Sequence, residues 1–314
     1  MTRAFVFPGQ GAQTIGMGKA LAEAYPEAKA VFDEVDEALG ESLSSLIWEG
    51  EQDALTLTQN AQPALMATSL AAMRALQAEG VTISAAAYVA GHSLGEYSAL
   101  AASGALSVAD AARLLRTRGL AMQQAVPVGV GAMAALLGLD FATADTLAQR
   151  AAKDTQKVCQ AANDNDPAQV VISGHAEAVQ HAVELAREAG AKRAVMLPVS
   201  APFHCKLMEP AAAAMAEALS HVDINEPAVP LVANVLAHDV VQPDTIRSLL
   251  VDQVTGSVRW RESVEWMVHH GVTEFWEIGA GKALSGMIRR IEKSSATRAV
   301  GTPEEVKAAA ESLA

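Results

Sequence analysis

Aromatic residues make up only 4% of this 314-residue chain, which leaves little for stacking against nucleic-acid bases. Positive charge is also scarce. The 23 Lys and Arg stand against 36 Asp and Glu, a formal net charge of −13, the wrong sign for a polyanion partner. Two cysteines, Cys159 and Cys205, supply neither a disulfide framework nor a zinc-ligand spacing. No metal site is expected. No apolar run reaches the ~18 residues of a membrane-spanning helix. The short apolar stretch at the amino terminus stops at Pro8 and does not read as a secretory signal. These absences exclude nucleic-acid and membrane partners and point to a cytoplasmic protein in a reducing compartment. What is present is apolar material, 51% of residues, enough for one large core or a core with a smaller companion.

The chain changes texture along its length. Arg3 to Phe7 reads as a buried strand ended by Pro8 and Gly9. Helical patterns follow from about Met17 to Leu39 and from about Pro63 to Glu79. Ala86 to Ala90 is a second strand, and a helical pattern begins just after Ser93. Ser107 and Asp110 form a capping box that opens a helix to about Gln124. This is an α/β order. From Gly131 the order becomes strand (132–139), helix (142–152), strand (158–162), strand (169–173), helix (176–189), strand (194–199). That β-α-β-β-α-β sequence is the ferredoxin-like one. The α/β texture then resumes, with "PLVANV" and "EFWEI" as strands. The reading is an α/β core, residues 1–126 and 199–314, interrupted by a small subdomain at 127–198.

The most informative stretch is "AGHSLGEYSALAASG". Gly91-His92-Ser93-Leu94-Gly95 is a G-x-S-x-G set between a strand and a helix, the context a nucleophile elbow requires. The alternative for Ser93 is a helix N-cap. A nucleophilic serine needs a base. His92 adjoins Ser93 and should point elsewhere on such a turn. His269 and His270 are neighbours on a helix and diverge by about 100°. His175, His181, His221 and His238 read as solvated. His204, in "VSAPFHCKLMEP", lies near a helix start set by Pro202, and a helix amino terminus disfavours imidazolium. Cys205 beside it is a weaker nucleophile candidate.

Arg118 stands out on its helix. Val108, Ala111, Ala112, Leu115 and Met122 form a stripe, and Arg118 falls on its flank, while Arg113 and Arg116 fall outside. A half-buried guanidinium needs an anion, either an internal carboxylate or a ligand.

"FVFPGQGAQ", "GHSLGEYSAL", Arg118-Gly119, "PFH" at 202–204 and "EIGAGKALSG" at 277–286 together resemble the malonyl-CoA:acyl carrier protein transacylases of type II fatty acid synthesis. The resemblance covers essentially the whole chain. It implies an α/β-hydrolase-like core with an inserted ferredoxin-like subdomain. It also implies Ser93 as the acyl-accepting nucleophile and His204 as its base, oriented by a backbone carbonyl at Gln253 rather than by a carboxylate. The backbone N–H groups of Gln10 and Leu94 would form the oxyanion hole. Arg118 would hold the malonyl carboxylate, and Phe203 would narrow the pocket. The implied reaction is a ping-pong transfer from malonyl-CoA to the phosphopantetheine thiol of an acyl carrier protein, by a monomer without a cofactor of its own. Lys192, Arg193, Lys206, Arg289 and Arg290 are candidates for a basic carrier-docking patch. Departures from the family pattern are Cys205, Ala280, and "ANDND" with Ala168. A serine thioesterase or esterase, or a transacylase serving a polyketide synthase or a malonate decarboxylase, shares the same motifs and stays open.

Overall fold

The structure, a computed structural model, describes residues 2–199 and 201–313. Strand β1 (Thr2–Phe7) is followed by helices α1 (Lys19–Ala24), α2 (Pro26–Leu39), α3 (Leu43–Glu49), α4 (Gln52–Thr56) and α5 (Thr58–Ala78). Then come β2 (Tyr88–Gly91), α6 (Gly95–Ala102) and α7 (Val108–Gln124). The single helix expected over 17–39 is two. Tyr25 ends α1 and precedes Pro26 at the first position of α2. A residue before proline is pushed out of the helical region, so the chain turns there. Conversely, α5 starts five residues before Pro63 and carries that proline inside it. The Ser107 cap holds as read, accepting from the Asp110 N–H at 3.0 Å.

The smaller unit comprises β3 (Gly131–Leu137), α8 (Phe141–Thr155), β4 (Cys159–Asp166), β5 (Gln169–His175), α9 (Ala176–Glu188) and β6 (Arg193–Met196). Its antiparallel sheet runs β4-β5-β3-β6, the ferredoxin-like arrangement. Alternation along β3 and β5 sorts the side chains. Ala134, Leu136, Val170 and Ile172 pack under α8 and α9. Met133, Ala135 and Val171 face the other way and form a second cluster with Leu197, Val199 and Phe203.

The chain then adds α10 (Glu209–Ser220), β7 (Leu231–Val232), β8 (Asp239–Val240), α11 (Pro243–Thr255), α12 (Trp260–His269), β9 (Val272–Ile278), α13 (Ala283–Ile291), β10 (Ala296–Val300) and α14 (Pro303–Glu311). The large sheet runs β10-β9-β1-β2-β7-β8. All its pairs are parallel except β7 with β8. Both faces are covered, as parallel sheets require. Phe5 and Phe7 point into one apolar cluster, and Ala4 and Val6 into another on the opposite face. The strand expected over "PLVANV" pairs only at Leu231–Val232, because the chain leaves the sheet at Ala233, whose N–H turns back to the His238 carbonyl at 3.1 Å.

Strand β4 ties the two units together. Asp164 donates its N–H to the Val258 carbonyl and Val258 donates to Ala162, each at 2.9 Å. Ion pairs Arg261–Asp164 (2.9 Å) and Arg290–Asp166 (2.7 Å) flank that junction.

Candidate active site

In register, Phe7 at the end of β1 lies beside Gly91 at the end of β2. Parallel strands that end together leave a crevice at their carboxyl edge, the usual ligand position in such sheets. Two loops enter it there, Pro8–Gln10 after β1 and the G-x-S-x-G turn after β2. Ser93 has φ +54, a left-handed conformation rare for a residue with a Cβ. The flanking glycines are sterically required. A Cβ on Gly91 would lie 1.9 Å from the Gly95 carbonyl group, and one on Gly95 would lie 2.2 Å from the Phe7 carbonyl oxygen. The N-cap position of α6 is Leu94, and the hydrogen bonds of Ser93 Oγ go to His204 and Arg118 rather than to the first turn of the helix, against the N-cap alternative.

The Ser93 Oγ instead lies 2.8 Å from His204 Nε2. His204 Nδ1 lies 2.9 Å from the Gln253 backbone carbonyl. A carbonyl can only accept, so Nδ1 carries the proton and Nε2 is left to accept from the serine hydroxyl. His204 is buried, and its pKa is pushed down to about 3, first by burial and then by the Arg118 charge. The sequence expectation of a helix amino terminus as the cause needs correction. His204, at φ +58, does lie just before a helical run, a 3-10 turn at Lys206–Met208 that leads into α10 at Glu209, but burial and Arg118 account for the shift. Cys205 turns away, its Sγ donating to the Pro202 carbonyl at 3.3 Å, with burial raising its pKa.

Arg118 is 1% exposed. Its guanidinium donates to Gln62 Oε1 and Gln253 Oε1, each at 2.7 Å, and to Ser93 Oγ at 3.1 Å. All three acceptors are neutral, and its Nε has no partner. The charge is thus not consumed by an internal salt bridge among the described residues. Gly119 explains the Arg-Gly pair. A Cβ there would lie 2.5 Å from Gln59 Cα, so only glycine lets α7 approach α5 closely enough for Arg118 to reach Gln62. Arg116, expected on the solvated side, is half-buried and bonds Asn60 and Glu41. Arg113 is the exposed one, paired with Asp110 at 3.3 Å.

Ser93, His204 and Arg118 open onto a cavity of about 490 Å³. Gln10, Leu94 and Phe203 also line it. Its far wall comes from the small sheet, with Met133, Asn163 and Val171. Gln253 does not line the cavity; it is buried behind Ser93, His204 and Arg118, and contributes both its carbonyl to His204 and its side chain to Arg118. His92 points away from the serine, its Nε2 2.8 Å from Asn165 Oδ1. The other histidines lie outside the cavity lining. The five basic candidates for carrier docking are all exposed. Two already have partners: Arg290 with Asp166, and Arg289 with Thr297 at 2.9 Å.

This chain's sequence matches the acyl transferase domain model over residues 4–307. It is 49% identical over 312 residues to a malonyl CoA-acyl carrier protein transacylase of Bacillus subtilis, covering 99% of this chain and 96% of that one. The chain belongs to the malonyl-CoA:acyl carrier protein transacylase family. It is an acyltransferase with an α/β-hydrolase-like core and a ferredoxin-like subdomain. Among solved structures, the acyl-carrier-protein S-malonyltransferase of Bartonella henselae superposes with a TM-score of 0.97 at 55% identity, covering 100% of this chain and 99% of that one. A malonyl-transacylase solved in complex with its type II polyketide synthase acyl carrier protein superposes at 0.95 and 40% identity, covering 99% and 100%.

Three polar groups of this region were not singled out from sequence: Gln62, Glu96 and Asn234. Each is 1% exposed. Only Asn234 carried a signal, a lone polar residue inside the apolar stretch "PLVANVLA"; Gln62 and Glu96 stand among other polar residues in "TQNAQP" and "GHSLGEYS". Glu96 lies in the first turn of α6, and burial raises its pKa to about 7.

Proposed function

We propose that this chain transfers the malonyl group from malonyl-CoA to the phosphopantetheine thiol of an acyl carrier protein through a malonyl ester on Ser93. The observation that carries the reading is the Ser93–His204 contact of 2.8 Å beside a buried arginine that lacks a carboxylate partner. His204 Nε2 takes the hydroxyl proton as Ser93 Oγ attacks the thioester carbonyl. The backbone N–H groups of Leu94 and Gln10 stabilise the oxyanion, an effect of about 2.7–4 kcal/mol for one donor in measured cases. The C–S bond breaks, and His204 returns the proton to the CoA sulfur. In the second half-reaction the carrier thiol gives its proton to His204 and attacks the ester carbonyl. Ser93 leaves and recovers that proton.

Arg118 receives the free malonyl carboxylate. A planar guanidinium matches a carboxylate through two parallel hydrogen bonds, which an ammonium does not. Phe203 bounds the cavity beside the acyl group, and the Gln253 carbonyl keeps His204 in the tautomer that can accept. The carrier is the partner in this proposal, and its acidic surface would meet the exposed basic residues. The serine, base and arginine come from one chain, so the site is complete without a second copy. Both cysteines are free and buried, which supports a reducing cytoplasmic setting.

Intact-mass spectrometry after mixing with malonyl-CoA tests the reading. One malonyl group is expected, mapped to Ser93 and absent in Ser93→Ala. Label that survives in Ser93→Ala, or that maps to Cys205, would overturn it.

A further inference from the structure

Asn234 is a buried polar residue just past the end of β7, where the chain leaves the sheet. Strand β7 is the neighbour of β2 on the side away from β1. The elbow after β2 is therefore bordered by the β1 loop on one side and by Asn234 on the other. The Asn234 Oδ1 accepts from the Ser93 backbone N–H at 2.8 Å. Its Nδ2 donates to the Gly91 carbonyl at 2.6 Å. One side-chain amide thus spans the turn, engaging the residue that enters it and the residue at its tip. The Asn234 backbone N–H in turn donates to Glu96 Oε2 at 3.3 Å, and the same carboxylate oxygen accepts from Gln253 Nε2 at 2.7 Å. Gln253 Nε2 also donates to the Ser93 carbonyl at 3.0 Å.

We infer that Asn234 is a positioning residue for the nucleophile: its side-chain amide clamps the turn and so holds the Ser93 Oγ in line with His204. The inference rests on the reading of Ser93 as the nucleophile. Two physical points carry it. Ser93 sits at φ +54, and such a conformation persists only where surrounding contacts over-determine it. The Gly91 C=O is buried and the Ser93 N–H part-buried, groups whose loss of partners costs free energy, and both are met by one rigid amide. Only a group with a donor and an acceptor side by side satisfies both. Asparagine has this arrangement, and an ionised aspartate does not.

Two variants test it, read by the single-turnover rate of malonyl transfer to Ser93 and by KM for malonyl-CoA. Asn234→Ala, verified as folded by circular dichroism, should acylate at least ~100-fold more slowly, with KM within a few-fold of wild type. A residue that merely ties β7 to β2 would lower Tm and leave the rate of the folded protein unchanged, and that result overturns the inference. Asn234→Asp separates the two roles further. Ionised, it would set a carboxylate oxygen against the Gly91 carbonyl, close to Glu96. Protonated, it regains a donor. Its rate relative to wild type at the same pH should therefore rise at least ~10-fold from pH 8 to pH 5.5. A constant ratio overturns the inference even if the alanine variant does not fold. Absence of label on Ser93 in the wild type would refute the nucleophile reading and this one with it. A labelled wild type with an equally fast Asn234→Ala refutes the clamp alone.

Discussion

Replacing Arg118 by alanine should collapse the preference for malonyl-CoA over acetyl-CoA. In the protein the guanidinium is bound by three neutral acceptors and its Nε is free. The cavity can thus offer the malonyl carboxylate a cation that has no carboxylate within hydrogen-bonding distance among the described residues, Glu96 acting on it only through space. Two charge-assisted hydrogen bonds of about 1.5–3 kcal/mol each give malonyl about 3–6 kcal/mol that acetyl lacks. At 1.4 kcal/mol per factor of ten, the ratio of kcat/KM values, malonyl over acetyl, should fall at least ~100-fold in Arg118→Ala. Arg118→Lys should recover little, because a point charge lacks the planar fork. The alanine variant also strips donors from Gln62 Oε1 and Gln253 Oε1, so its fold must be checked by denaturation before rates are compared. Arg113→Ala is the control, since Arg113 is exposed and pairs only within its own helix turn and with the Ala38 carbonyl. Single-turnover acylation of Ser93 by each thioester, followed by mass, reads the ratio without the carrier. An unchanged ratio in a folded Arg118→Ala protein would refute the selectivity argument.

Two predictions concern pH. His204 is depressed to about 3, so it stays neutral throughout the working range. The rate of Ser93 acylation should not show the half-loss near pH 6.5 that an ordinary histidine base gives, and such a half-loss would refute the assignment of burial and Arg118 as the cause. Glu96 has the opposite sign. Its folded pKa of about 7 lies above its unfolded value, so its contribution to stability is full below about pH 4.5 and is lost as pH rises through 7. The span corresponds to about 3 kcal/mol. Urea denaturation should therefore show Glu96→Gln gaining on wild type by a few kcal/mol between pH 5 and pH 8, and parallel stabilities across that range would sink the idea.

Local patterns determined much of this protein. The elbow was legible because its glycines are demanded by contacts within a five-residue turn and with the strand beside it. The ferredoxin-like order was legible because β-α-β-β-α-β is a one-dimensional signature. Arg118 was legible because helix periodicity puts it on the buried flank, although the same periodicity misjudged Arg116, which tertiary packing half-buries. The break at Tyr25–Pro26 and the early stop of β7 were missed at element boundaries, where a proline or a turning chain overrides the pattern. His204 was picked out among the eight histidines from its local sequence, and the family resemblance pointed the same way, but its meeting with Ser93, 111 positions apart, is a product of the tertiary fold. The Asn234–Glu96–Gln253 network was not reached at all. These groups come from the turn after β7, from α6 and from α11, which converge only when the parallel strands align their carboxyl ends. The depressed histidine likewise has a tertiary cause. Burial and a neighbouring guanidinium set its proton affinity, and neither is a property of the residues adjacent to it in the chain.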